Sequence, residues 1–198
     1  MSVARKTAVI MLGMMSIEGW VLWLSFQRST RGQIVALYNV IPAGWLASAL
    51  AVVVSAFFVG HAIRTFPAIG ERFLDLRPLK FLAIPFAAIT GSMEELWFRK
   101  AAMDSVQRHG GGILLQIAVS AVLFGLIHAV WGLFAGKWRV ATGSMIATGA
   151  LGAALAIIYL VGGRQLAPCV WAHIAINLAI EPWLLLAAVS GRLSASMP

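Results

Sequence analysis

The chain has 198 residues, of which 61% are apolar and only 11% are charged, and its formal net charge is +8. Soluble domains carry about 25% charged residues, so this composition excludes an ordinary water-soluble domain and indicates that lipid is the solvent. The fifteen Lys and Arg residues lie in the short gaps between apolar runs, as membrane-flanking charges do. They do not form the basic stripe that phosphate contacts require, so nucleic acid is not an expected partner.

Apolar runs of about 20 residues, the length that spans a bilayer, recur along the chain. The first two predicted spans cover residues 7–26 and 40–63. The charged start of the chain resembles a signal peptide, but no small-residue cleavage site closes a shorter apolar core, so we interpret the first run as a retained helix. A polar segment of mixed charge over residues 64–80 predicts a loop or a surface helix.

The third predicted span differs from the others because its second half is amphipathic. We predict one helix over residues 82–108, apolar at first and then carrying Glu94, Glu95 and Arg99. Three consecutive glycines at 110–112 end it, because glycine favours turns over helix.

Three further spans are predicted over residues 113–134, 141–161 and 166–189. The second of these is rich in Gly, Ala and Ser, and small residues let helices approach closely in lipid, so we expect it near the centre of the bundle. The sequence therefore predicts an all-α integral membrane protein: a single domain, residues 1–198, of about six transmembrane helices.

The distribution of Lys and Arg predicts the topology, because nine lie at one end of these spans and six at the other. By the positive-inside tendency we expect both termini in the cytoplasm. The expected location is the inner (cell) membrane of a bacterium. The single cysteine, Cys169, excludes an internal disulfide and a thiol metal cluster. Within an apolar run it is expected to be a small buried hydrophobic residue.

Ionisable side chains inside the spans are functional candidates, because each costs about 2.5–3.5 kcal/mol at the membrane centre on insertion scales. Glu95 and Arg99 are four residues apart with the acid first, which favours an ion pair on one helix face. Glu94 lies about 100° around the same helix and cannot share that geometry. These residues alone allow a simpler interpretation, in which the two acids only balance the charges of Arg99 and Lys100 at an interface.

Two later spans carry polar side chains on defined faces. His128 follows Phe124 by one helical turn, and alone it would be interpreted as a hydrogen-bonded core histidine. His173 and Asn177 are four residues apart and share one helix face. That pair could bind a metal, polarise a carbonyl or form hydrogen bonds between helices, and Glu181 extends the same face by another turn.

Three short patterns occur in order on three different spans: Glu94-Glu95-x-x-x-Arg99, Phe124-x-x-x-His128 and His173-x-x-x-Asn177. Together they resemble the signature motifs of the CPBP (Abi) family of intramembrane proteases, which includes the type II CAAX prenyl endopeptidases. The resemblance covers residues 81–189, which we take as the catalytic core. It implies an endopeptidase in the membrane that acts on a membrane-associated peptide or protein.

The resemblance also implies roles for the motif residues. Peptide hydrolysis needs an activated water and a place for the developing oxyanion. In the family's usual account Glu94 is the base and His128 its partner in activating water. His173 and Asn177 then stabilise the oxyanion.

The remaining motif residues are expected to orient the catalytic ones. Glu95 and Arg99 resemble the family's orienting ion pair, and Phe124 belongs to the middle motif. The roles of Glu18, in the first span, and of Glu181 are left open. For Glu18 we favour pairing between helices over chemistry.

Alternatives remain within and outside the enzyme class. The glutamate mechanism, which needs no cofactor, is favoured over a zinc metalloprotease with Glu94, His128 and His173 as ligands, since no His-Glu-x-x-His pattern is present. A transporter or a non-catalytic immunity scaffold would place polar residues on several helices too. The chain has fewer spans than the prenyl-processing enzymes, so peptide leaders, membrane anchors or sorting signals are as plausible as CAAX substrates.

Overall fold

The computed structural model describes residues 1–130, 132, 136 and 138–192, and the secondary structure in that part is helical. The helices are α1 (Val3–Gln27), α2 (Arg31–Ala36), α3 (Gly44–Thr65), α4 (Pro67–Gly70), α5 (Pro78–Glu95), α6 (Asp104–Arg108), α7 (Ile113–His128), α8 (Trp138–Val161) and α9 (Ala167–Val189). A 3-10 turn, Ile41–Ala43, precedes α3, and a π-helical segment, Leu96–Met103, joins α5 to α6. The predicted all-α membrane bundle is confirmed.

Among the residues that the structure describes, four helices are long and apolar enough to cross a membrane: α1, the stretch Ile41–Thr65, α8 and α9. The apolar helix α7 has 16 residues and α5 has 18, and both pack among the long helices, α5 against α1 and α9 and α7 against α8. Long apolar side chains on α1 and α3, such as Trp20, Val52 and Phe57, are exposed on the outside of the bundle. Exposed apolar surface of this kind is expected where lipid covers a helix.

Two predicted segments differ from the structure in detail. The helix expected over residues 82–108 begins earlier, at Pro78, and its middle widens into the π-helical segment, which the sequence pattern did not indicate. The helix expected over residues 113–134 ends at His128, and part of its remainder lies outside the described residues. Of the polar segment 64–80, residues 64 and 65 end α3, residues 67–70 form α4, and residues 78–80 begin α5 after a turn.

The small residues of α8 make a close contact with α7. Gly125 of α7 lies against α8 so tightly that a β-carbon there would be 2.6 Å from the carbonyl oxygen of Met145. A β-carbon on Gly152 would be 3.0 Å from that of Phe124. The most enclosed of the four long helices, however, is α9, which contacts α1, α3, α5 and α8. The small-residue face of α8 therefore positions α7 rather than marking the centre of the bundle.

A cluster of polar side chains closes the end of the bundle where α6 begins. Asp104 accepts hydrogen bonds from the Tyr159 hydroxyl (3.0 Å), from Lys100 Nζ (2.7 Å) and from Arg164 Nη1 (2.6 Å). Arg164 also donates to the side-chain oxygen of Gln116, and its backbone adopts a left-handed conformation with φ +65°. The cluster ties α6 to α7, to α8 and to the turn that precedes α9.

We expect Gly125→Ala to destabilise the protein by about 1–3 kcal/mol, because the added methyl group must displace the α8 backbone and overpacking costs this much. Gly143→Ala is the matched control, since no described residue lies within 4 Å of a β-carbon there. Alanine also has the higher helix propensity, so this control is expected to be neutral or stabilising. Thermal unfolding in detergent measures both, and a Gly125→Ala variant as stable as Gly143→Ala would contradict the packing described.

Candidate active site

The end of α5 lies close against α9 because Gly91 has no side chain. A β-carbon at Gly91 would be 3.1 Å from Ile174 Cγ1 and 3.2 Å from the backbone nitrogen of Ile174. One helical turn later, Glu94 and Glu95 reach His173 on α9. The close approach of the two helix backbones therefore places both carboxylates of the first motif beside the histidine of the third.

Glu95 is completely buried and has two partners. Its Oε1 atom lies 3.0 Å from Arg99 Nη1 and 2.7 Å from His173 Nδ1. Arg99, also completely buried, donates from Nη2 to the carbonyl oxygen of Gly152 (3.3 Å), and its guanidinium carbon lies 4.8 Å from the centre of the Phe124 ring. The predicted Glu95–Arg99 ion pair is present, and Glu95 also accepts a hydrogen bond from His173 of the third motif.

Glu94 faces the two motif histidines with one oxygen atom. Its Oε2 lies 3.5 Å from His173 Nε2 and 3.8 Å from His128 Nε2. The Phe124 ring packs between these histidines, with its centre 4.4 Å from that of the His128 ring and 5.4 Å from that of the His173 ring. Glu94, His128 and His173 therefore meet at one point between α5, α7 and α9.

The hydrogen-bond partners of the two histidines show which ring nitrogen carries the proton in each. His128 Nδ1 lies 2.8 Å from the carbonyl oxygen of Phe124, which can only accept, so Nδ1 donates and carries the proton. His173 Nδ1 donates in the same way to the Glu95 carboxylate. In the neutral rings the lone pairs are then on the two Nε2 atoms, which face Glu94.

Asn177 lies one turn after His173 and belongs to the same site. Its side-chain nitrogen donates to Thr90 Oγ1 at 3.1 Å. Thr90 is fully buried on α5, four residues before Glu94. Sequence reasoning missed Thr90, although its spacing of one turn from Glu94 puts the two on a common helix face.

Two cavities meet at this site. One, of about 270 Å³, lies between α3, α7, α8 and α9 and is lined by His128, His173, Asn177 and Glu181 among others. The other, of about 310 Å³, is lined by Glu18, Glu94, His128 and Glu181. His128 and Glu181 line both, so the two cavities adjoin at His128, with Glu94 in one lining and His173 and Asn177 in the other.

Glu18 and Glu181 border the site without joining its network. Each has a buried Oε2 atom that accepts no hydrogen bond from the described residues. The pairing between helices expected for Glu18 is therefore not found in the part of the chain that the structure describes. Pro182, next to Glu181, lies inside α9 and does not interrupt it.

The nitrogen and oxygen atoms at the site resemble the ligands of a zinc ion in their chemical type. The two Nε2 atoms and Glu94 Oε2 have their lone pairs turned toward one another, and each Nδ1 donates to an oxygen, as in histidines that bind zinc. Within residues 1–130, 132, 136 and 138–192, however, no three His, Cys, Asp or Glu side chains are grouped so that they could hold a metal ion. The side-chain types at the site are therefore suitable for zinc, but their spacing is not that of a metal-binding group.

The fold is that of an integral membrane protein, and it brings a carboxylate and two imidazole rings together between three helices. The sequence model of the family described as "Type II CAAX prenyl endopeptidase Rce1-like" matches residues 76–179, just over half of the chain. The chain belongs to this family, which confirms the resemblance seen in the three motifs, all of which lie inside the match. No match was found among curated proteins or solved structures.

Proposed function

We propose that the protein is an intramembrane endopeptidase that hydrolyses a peptide bond of a membrane-associated peptide or protein, with Glu94 as the base that activates water. The observation that carries this proposal is the position of Glu94 Oε2 opposite the Nε2 atoms of both His128 and His173. Family membership supports a protease-like activity of the CAAX type. The geometry supports the assignment of roles within it.

His128 is proposed to hold and orient the attacking water. Since the Phe124 carbonyl fixes the proton on Nδ1, the neutral ring presents an acceptor at Nε2. A water molecule between Glu94 and this nitrogen would give one proton to the carboxylate while its second hydrogen points to the ring. Its lone pair is then free to attack the carbonyl carbon of the substrate.

His173 and Asn177 are proposed to stabilise the oxyanion. Donation from His173 Nε2 requires the imidazolium form, and the Glu95 carboxylate at Nδ1 stabilises the charge of that form. The Asn177 amide has two donor hydrogens, of which Thr90 engages one, so the other is available. Donors fixed in advance at the developing charge are the main electrostatic contribution in acyl transfer.

The cavity beside the site supports a peptide substrate that enters from the membrane. The cavity of about 270 Å³ runs from Phe124 and His173 to His61 and Thr65 near the end of α3. The last two turns of α3 and the small-residue face of α8 form its walls. This cavity is mostly apolar and has small side chains along one wall, so it suits an extended apolar segment of a peptide. A CAAX-type C-terminus, a leader or a sorting signal would provide such a segment.

Cleavage of a fluorogenic membrane peptide by purified protein tests the proposal. We expect His128→Ala to lower kcat by about 10²–10⁴-fold, the usual contribution of a positioned proton-transfer group. His109→Ala is the matched control, because His109 Nδ1 makes the same contact with a backbone carbonyl (Ser105, 2.8 Å) outside the site. Equal activity of the two variants would refute the role of His128.

Chelation separates the glutamate mechanism from the zinc alternative. Without a metal, activity is expected to survive prolonged treatment with a strong chelator. Activity that is lost on chelation and restored by zinc would instead assign Glu94, His128 and His173 as metal ligands.

A further inference from the structure

A groove separate from the candidate active site lies at the end of the bundle where α1 begins and α9 ends. It has a volume of about 690 Å³. Its floor is apolar and comes from four elements, with Ala8, Ala68, Leu79, Leu82, Trp183 and Leu186 contributing. Residues from the beginning of α1 and from the end of α9 line this groove, so these two helix ends lie at the same membrane surface.

Four arginines line the groove, and no acidic residue is among the described residues that do so. They are Arg5, Arg72, Arg77 and Arg192. Arg77 is paired with Asp75, its Nε lying 2.9 Å from the carboxylate, but in the described part of the chain Arg5, Arg72 and Arg192 form no ion pair. The groove therefore combines an apolar floor with three guanidinium groups that form no ion pair with any described residue.

Trp183 adds a second polar feature to the floor. Its side chain is 1% exposed, and its indole Nε1–H has no acceptor among the described residues. An indole N–H buried without a partner is costly, and most such groups bond to a protein, water or ligand atom. Trp183 lies six residues before the end of α9, about 9 Å below it at 1.5 Å per residue.

We propose that this groove binds an anionic phospholipid. The arginines contact the phosphate, and an acyl chain lies on the apolar floor. The indole N–H of Trp183 donates to an ester carbonyl, which sits below the phosphate as Trp183 sits below the end of α9. Free inorganic phosphate would satisfy the arginines but leave the floor uncovered, so a lipid fits both parts of the groove.

Binding of fluorescent dioleoyl phosphatidylglycerol to the purified protein tests this, with phosphatidylcholine and inorganic phosphate as competitors. We expect phosphatidylglycerol to bind in preference to phosphatidylcholine and phosphate to compete weakly. Arg72→Gln with Arg192→Gln is expected to weaken binding by about tenfold or more, since each cation near an anionic surface contributes about 1 kcal/mol. Trp183→Phe is expected to weaken binding of both lipids, because each has ester groups.

Arg28→Gln with Arg31→Gln is the matched control, because it removes two exposed arginines at the opposite end of α1. This control is expected to leave phosphatidylglycerol binding unchanged, and thermal unfolding checks that all variants fold. Equal binding of the two lipids, equal losses in the two double variants, or full displacement by phosphate would overturn the proposal. Binding unchanged in Trp183→Phe would overturn the ester contact.

Discussion

Glu94→Gln is expected to lower kcat for a membrane peptide by about a thousandfold, within the range attributed to a general base. Glutamine keeps the shape of the side chain and can still accept one hydrogen bond, but it cannot take a proton from water. Because the site is otherwise unchanged, we expect KM and the unfolding temperature to change little.

Glu71→Gln is the matched control for this substitution, because Glu71 is an exposed acid between α4 and α5. It removes the same charge without touching the site and is expected to leave kcat unchanged. A Glu94→Gln variant that retains a tenth or more of the activity would show that another group activates the water.

Glu95→Ala is expected to cost about 3–5 kcal/mol of stability, the usual result of removing one partner of a buried ion pair. Both Glu95 and Arg99 are completely buried, so the guanidinium of Arg99 would be left charged and without its carboxylate. The contrast is Arg77→Ala, which breaks an ion pair whose arginine side chain is 68% exposed. Exposed pairs contribute about 0–1 kcal/mol, and thermal unfolding in detergent measures both changes.

A double variant separates stability from activity at this position. Replacing Glu95 with Leu and Arg99 with Met removes both charges, and exchanges of this kind are often neutral or stabilising. The double variant should therefore regain much of the stability lost in Glu95→Ala. It should stay inactive, because His173 Nδ1 has lost its carboxylate. A stable and active double variant would show that Glu95 acts only in folding.

The sequence pattern predicted which residues come together, and the reasons are local. Helix spacing places Glu95 with Arg99 and His173 with Asn177, since each pair is one turn apart on one helix. The roles that the family resemblance implies for Glu94, His128 and His173 require these side chains to lie together. In the structure Glu94 Oε2 lies opposite the Nε2 atoms of both histidines. Their catalytic roles stay predictions.

The individual contacts between helices could not be predicted from the sequence, because they depend on how each helix is rotated about its axis. The bond from His173 to Glu95 is one example, and that from Asn177 to Thr90 is another. Both follow from the close approach of α5 and α9 at Gly91, where the absence of a side chain sets the distance between the backbones. A glycine in an apolar run gives no indication of which helix it will face.

The π-helical segment Leu96–Met103 changes the direction in which the side chains after it point, relative to a regular α-helix. In a regular α-helix, Arg99 and Asp104 would point about 140° apart. Bonding from residue i to i+5 widens the turn, so residues five apart lie closer to a common face than in an α-helix. Both side chains reach α8, where Arg99 meets Gly152 and Asp104 meets Tyr159. The wider turn of this segment therefore lets Arg99 face the candidate active site while Asp104 faces the polar cluster at the end of the bundle.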